Sequence, residues 1–98
     1  MENPEIIECL ENQWTPVATA VTNGIITKNK WVNTGDKQRR STISYWGTYR
    51  ITGDPAPVAG NPNEGDEIGE IGAEISATDP IDVYIFCTGG NGSIKISL

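Results

Sequence analysis

The sequence contains no histidine and only two cysteines, and these shortages exclude several kinds of chemistry. A hydrolytic triad needs a base, which histidine ordinarily supplies. A zinc site of the ordinary type draws its ligands mainly from His and Cys, too few of which are present in one chain. No apolar run approaches the ~20 residues of a membrane-spanning helix. We therefore expect a protein that is not an enzyme, binds no metal or other cofactor and does not cross a membrane.

Positive charge is scarce outside one stretch of the chain. The 98 residues carry a net charge of −6, yet residues 28–50 hold six of the seven basic residues against a single acid, Asp36. Two interpretations remain open: a solvated surface, or a subunit whose positive side meets the negative side of a neighbour. The first thirteen residues carry four Glu and no Lys or Arg, unlike a secretory signal. We expect synthesis in the cytoplasm without Sec export.

Alternating apolar and polar residues predict strands along most of the chain. The clearest case is the stretch from Ile81 to Leu98, where alternation on both sides of Gly89–Gly92 predicts a C-terminal hairpin with one apolar face. Residues 14–27 predict a second hairpin or a sharp corner at Asn23-Gly24. Residues 68–78 predict a strand that ends in a turn at Asp79-Pro80.

These patterns predict an all-β fold, a small antiparallel β-sandwich or barrel of six to seven short strands. Its length suits one domain, which we place at residues 14–98. Residues 1–13 are acidic with a small apolar patch, and we interpret them as an N-terminal arm that packs on its own domain or on a neighbouring subunit.

The longest strand predicted for the middle of the chain, residues 42–52, has two different sides. One side is predicted to face the core, and its members are Ile43, Tyr45, Tyr49 and Ile51. Trp46 and Arg50 fall on the outward side. Trp46 either lies under a loop or anchors a contact with a partner, because Trp and Arg are enriched at interfaces.

Residues 53–67 predict a long loop, since they contain three Pro, three Gly and four acids and no core pattern. The acids are either solvated or hold an ion such as Ca²⁺, although the ligand spacing of an EF-hand is missing. Contact of this loop with a host receptor is left open. Cys87 continues an apolar strand face, which favours a buried reduced thiol. A disulfide to Cys9 requires the N-terminal segment to lie beside that strand.

The basic stretch also raises the question of nucleic acid, because Lys37, Arg39 and Arg40 could meet phosphates and Trp31 could stack on bases. The acidic remainder of the chain would repel a polyanion. We therefore do not expect nucleic acid as the partner, and an oligonucleotide-binding barrel stays an alternative. A carbohydrate-binding module that stacks sugars on Trp31 or Trp46 is another.

Four short stretches resemble small β-rich accessory proteins of tailed-phage virions, the decoration or cement proteins and tail components. They are WTPVAT (14–19), VTNGI (21–25), TYRITGDPAP (48–57) and IDVYI (81–85). The resemblance implies a structural role in the virion, in which many copies, often as symmetric oligomers, bind a capsid or tail surface. It carries over no catalytic residues.

Together these observations predict a virion structural protein that decorates the assembled capsid by binding its major capsid protein. The alternative is a tail or head–tail accessory protein that binds a tail protein. The side chains expected at the interface are Trp46, Arg50, Lys37, Arg39, Arg40 and Trp31.

Overall fold

Extended backbone dominates the structure, a computed structural model that describes residues 5–29, 33–34, 37–38, 43–69 and 72–98. The strands are β1 (Glu5–Cys9), β2 (Trp14–Lys28), β3 (Asn33–Thr34), β4 (Lys37–Gln38), β5 (Ser44–Ile51), β6 (Asp66–Glu67), β7 (Ala73–Thr88) and β8 (Gly92–Ser97). In the ranges described, helical structure is confined to one 3₁₀ turn, Pro62–Glu64. The predicted all-β class is confirmed. Six antiparallel strands form one sheet in the order β1-β8-β2-β7-β5-β6, and β3 pairs with β4.

Two long strands, β2 and β7, hold the sheet together by pairing along two separate stretches. Residues 14–21 of β2 pair with residues 81–86 of β7, and residues 23–26 pair with residues 73–76. β5 and β6 continue the sheet from the first stretch, and β8 and β1 continue it from the second. We call these parts the β5 half and the β8 half of the sheet.

The junction between the two halves is irregular in both long strands. The β2–β7 register shifts three times between Pro16 and Asn23, and Ala20 adopts a positive φ of 52°. Bulges of this kind bend a strand and let it pass from one packed layer to the next. The Asp82 carboxylate stabilises the junction, because its Oδ1 accepts hydrogen bonds from the Ala20 N–H (3.0 Å) and the Thr52 hydroxyl (2.9 Å).

Three predictions that rested on Gly, Asn and Pro are wrong: the hairpin at Asn23-Gly24, the turn at Asp79-Pro80 and the C-terminal hairpin. The alternative prediction of a sharp corner at Asn23-Gly24 agrees with the register shift between Val21 and Asn23. Asn23-Gly24 lies inside β2, where a Cβ on Gly24 would stand 2.9 Å from the Leu98 side chain; this Gly permits close packing and makes no hairpin. Asp79-Pro80 lies inside β7, within residues 77–80, for which the described part of the chain provides no ladder partner. Proline is tolerated there because no ladder hydrogen bond needs its missing N–H.

The third error concerns the C-terminal hairpin, since β7 and β8 do not pair with each other. β2 lies between them, and β8 pairs with β2 through residues 25–28 and with β1. Gly89 and Gly90 have φ values of 88° and 136° and turn the chain from one half of the sheet to the other. The same positive-φ glycines serve a crossing connection as well as a tight hairpin, so their presence alone could not distinguish the two.

The core lies between the two halves of the sheet. The alternation predicted for residues 81–98 holds in part, since the side chains of Val83, Ile85, Cys87, Ile94 and Ile96 are buried. It fails at Leu98, which is exposed, and at Phe86 and Ser93, which are buried although they fall on the opposite side. Tyr45 reaches across from β5 towards the start of β8, and the Lys28 Nζ lies 5.6 Å from the centroid of its ring. The segment for which we predict an arm contributes β1, and Cys9 at its end belongs to the core.

We expect Gly92→Ala to destabilise the protein by about 1–3 kcal/mol, because the added methyl group would overpack the core. A Cβ at this position would stand 2.7–2.9 Å from atoms of the fully buried Tyr45 ring. Gly69→Ala is the matched control, since a Cβ there meets nothing within 4 Å. Urea unfolding measures both, and equal stability of the two variants would contradict this account of the core.

Candidate interaction surface

The structure describes three of the six residues predicted for the interface, two of them with their side chains. Trp46 and Arg50 lie on β5. Lys37 lies on β4, where only the backbone is described. Trp31, Arg39 and Arg40 lie outside the described residues.

Trp46 belongs to a small aromatic face on the outside of the β5 half. Because side chains alternate along a strand, Trp46 points away from the side that carries Tyr45. It lies directly opposite Phe86 of β7, whose ring centroid is 5.2 Å from that of Trp14 at an interplanar angle of 54°. Phe86 is buried although it faces away from the main core. We call Trp14, Trp46 and Phe86 the outer aromatic cluster.

A loop covers part of the outer aromatic cluster. The Trp14 Nε1–H donates to the backbone oxygen of Asn61 at 3.0 Å, and the Asn61 side chain accepts from the Asn63 N–H to begin the 3₁₀ turn. Gly65 follows, and a Cβ there would stand 2.8 Å from the Trp14 ring. The predicted loop 53–67 is therefore seated on the sheet through an aromatic side chain.

Arg50 ties the same loop to β5. Its Nη1 donates to the Thr48 hydroxyl at 2.7 Å and to the Tyr49 carbonyl at 3.2 Å, and its Nη2 pairs with the Glu64 carboxylate at 3.5 Å. The other carboxylate oxygen of Glu64 accepts from the Val58 N–H at 3.5 Å. Within the described residues the Arg50 guanidinium thus has intramolecular partners, and 24% of its side chain remains exposed.

The Trp46 indole differs from that of Trp14 in one respect. Its Nε1 is buried and has no hydrogen-bond partner among the described residues. A buried N–H without an acceptor costs about 1–3 kcal/mol. Trp46 is otherwise partly exposed, so its ring presents some surface beside the loop.

The far end of β5 forms an open strand edge. β6 pairs with β5 only at Trp46 and Gly47, so residues 48–51 have no strand on the side away from β7 in the part of the chain described. Tyr49 and Ile51 stand at this edge with 43% and 56% of their surface exposed. We call residues 48–51 the β5 edge.

A cleft of about 420 Å³ adjoins the β5 edge. It lies between β5 and residues 63–69, with Gly72 and Ala73 at one side. Its acidic members are Glu64, Asp66 and Glu67. Burial, together with the negative charge of Asp66, raises the pKa of the Tyr49 hydroxyl. Tyr49 therefore stays neutral and able to donate a hydrogen bond throughout the neutral pH range.

Tyr49 and Ile51 are the surface residues that sequence reasoning missed, because their alternation with Ile43 and Tyr45 placed them on the core side. Ile43 and Tyr45 are indeed buried. The alternation continues to the end of β5. The packing that buries Ile43 and Tyr45, however, does not extend over Tyr49 and Ile51. Periodicity reports which side of a strand a residue occupies and not whether another layer lies above it.

We expect Trp14→Phe to destabilise the protein more than Trp46→Phe, by about 1 kcal/mol. Both changes remove the same ring atoms, but among the described residues only Trp14 loses an indole hydrogen bond, which leaves the Asn61 carbonyl with the longer bond from the Glu64 N–H at 3.4 Å. Thermal and urea unfolding of the two variants check the difference. A larger loss for Trp46→Phe would show that its indole N–H has a partner in solution.

Neither a metal site nor a membrane-spanning helix emerges from the described part of the chain. Its His, Cys, Asp and Glu side chains form no group of three or more that could hold a metal ion. Its helical structure is too short and too polar to cross a membrane. Comparison with protein-family models, with curated proteins and with solved structures found no match to this chain.

Proposed function

We propose that this chain is a structural protein of a phage virion that decorates the assembled capsid by binding its major capsid protein in many copies. The short stretches that resemble decoration and tail proteins support the virion assignment. The observation that carries a binding role is the β5 edge, where exposed apolar side chains flank a row of backbone groups that have no strand partner among the described residues.

An open strand edge is a binding site for extended backbone. A partner segment that adds to such an edge gains main-chain hydrogen bonds, and the side chains on either side of the edge determine which segment fits. Proteins usually block exposed edges with Lys, Pro or a covering loop. Residues 48–51 contain neither Lys nor Pro, and their one basic side chain, Arg50, is directed to Thr48 and to Glu64 of the adjoining loop.

The charge around the β5 edge indicates which partner chemistry fits. Asp66 and Glu67 are exposed at the cleft, and the Glu64 carboxylate is shared with Arg50. A partner segment that carries Lys or Arg near an apolar residue would complement this surface. Such binding stabilises the assembled shell by mass action and needs no reaction.

Ile51→Thr is expected to weaken binding to assembled capsid shells by about tenfold, because it removes exposed apolar area at the β5 edge while keeping a β-branched side chain. Ile25→Thr is the matched control, since Ile25 is also a strand residue and is 53% exposed, against 56% for Ile51. Co-sedimentation of each purified variant with the shells measures binding. Equal loss in both variants, or in neither, would contradict a contact at the β5 edge.

Trp46→Ala combined with Arg50→Ala is expected to weaken assembly on the particle and to leave the isolated chain folded. Both side chains adjoin the β5 edge, and Arg50 retains partial exposure. Circular dichroism checks the fold and co-sedimentation checks the binding. Unchanged co-sedimentation would remove these two residues from the proposed contact.

The same experiment separates the alternatives. Sedimentation with tails and not with capsid shells would favour the tail or head–tail accessory protein. For an oligonucleotide-binding barrel, filter binding at two salt concentrations should show strong, salt-sensitive retention. Two described cations of the basic stretch already have intramolecular contacts, Lys28 with the Tyr45 ring and Arg50 with Glu64, which favours the capsid over nucleic acid.

A further inference from the structure

The two cysteines come from opposite ends of the chain and meet in the core. Cys9 is the last residue of β1, and Cys87 is the second-last residue of β7. Both side chains are fully buried, and both are free thiols in the same apolar cluster. The proposed function assigns no role to this pair.

Backbone contacts hold the two cysteine segments against each other. Glu11 forms an isolated parallel bridge with Cys87, and the Asn12 N–H donates to the Cys87 carbonyl at 2.8 Å. Asn12 has a positive φ of 58°, which turns the chain at this point. The end of β1 is thereby fastened beside β7 although the two strands are not neighbours in the sheet.

The Cys9 thiol donates to the Ile7 carbonyl at 3.8 Å, and it also interacts with the Cys87 thiol through a side-chain hydrogen bond. This bond raises the pKa of Cys9, an effect that burial reinforces, and it lowers the pKa of Cys87. The proton is therefore retained on Cys9 and lost first from Cys87. A thiolate is the nucleophile in disulfide chemistry, so Cys87 is the thiol suited to attack and Cys9 the thiol suited to resolve.

We propose that Cys9 and Cys87 form an intramolecular disulfide when the folded protein meets an oxidising environment. The disulfide would join β1 to β7 across the core and close the sheet covalently along the side opposite the β5 edge. The inference rests on the position of the two thiols and is independent of the proposed binding function.

A small disulfide such as oxidised glutathione supplies the oxidising equivalents. The Cys87 thiolate attacks one glutathione sulfur, which forms a mixed disulfide and releases one glutathione thiolate. The Cys9 thiolate then attacks the Cys87 sulfur, which forms the protein disulfide and releases the second glutathione. The two cysteines lose two electrons, glutathione disulfide gains them, and the two thiol protons pass to the released thiolates.

Access to the buried thiols requires local opening of β1. This strand lies at the end of the sheet, and β8 is its one partner among the strands described, so it can separate while β2 and β7 stay paired. Strands of this kind open far more often than a whole domain unfolds. Oxidation is therefore expected to be slow in the native state, and the finished disulfide to suppress the opening that allowed it.

The test uses the full chain, incubated with oxidised glutathione under native conditions and then quenched with acid. Intact mass should fall by two hydrogen atoms in a monomer, and both thiols should disappear when titrated in denaturant. The oxidised protein should unfold about 10 °C higher than the reduced protein, because the bond closes a loop that includes most of the chain. Reduction with dithiothreitol should restore the original midpoint.

Cys9→Ala and Cys87→Ala test the pairing. Each variant should lose the mass shift and the gain in melting temperature, and Cys9→Ala should accumulate the mixed disulfide of Cys87. The wild-type comparison of oxidised with reduced protein remains decisive if either variant fails to fold. Persistence of both thiols, cross-linking between chains, or an oxidised monomer that melts no higher than the reduced one would overturn the proposal.

Discussion

The fold depends on one constraint: β2 and β7 must pair along both of their ends while passing from one half of the sheet to the other. Neither half is complete without them, since β5 and β6 attach through β7, and β8 and β1 attach through β2. The change of direction is concentrated around Ala20, where the Asp82 carboxylate accepts a backbone hydrogen bond and also holds Thr52 at the end of β5. A charged side chain at the junction therefore stabilises both strands at the place where their ladder is interrupted.

The two ends of the sheet differ in the contacts that their strands make. At one side the chain after β1 is bound to β7 through Glu11 and Asn12, and the free thiols of Cys9 and Cys87 are both buried in the core. At the other side β6 covers only two residues of β5. Both β1 and the β5 edge therefore have one side without a strand partner in the described part of the chain, and an unpaired strand edge is able to accept a further strand.

The loop after β5 is polar and rich in Pro and Gly, and contacts with side chains of the sheet fix its position. It has no hydrophobic core of its own, and its position comes from the outer aromatic cluster and from Arg50. The Trp14 indole N–H donates a hydrogen bond to the Asn61 carbonyl, and the Arg50 guanidinium forms an ion pair with the Glu64 carboxylate. Arg50, which the alternation places on the outward side of its strand, and Trp14, for which the sequence predicts no side, thus organise the surface that surrounds the β5 edge. The acids of the loop give that surface its negative charge.

The sequence by itself determined the fold class, the inward positions of β7 and β8 and the location of the long loop, because alternation with period two and the density of Pro and Gly are local properties of the chain. It could not determine which strands pair, so the expected hairpins at Asn23-Gly24 and Gly89–Gly92 are replaced by a continuous β2 and a crossing connection. For the same reason it could not identify the β5 edge, since Tyr49 and Ile51 have the pattern of core residues and only the absence of a covering layer exposes them. The meeting of Cys9 with Cys87 likewise depends on contacts between segments far apart in the chain, and such contacts are decided by how the layers pack.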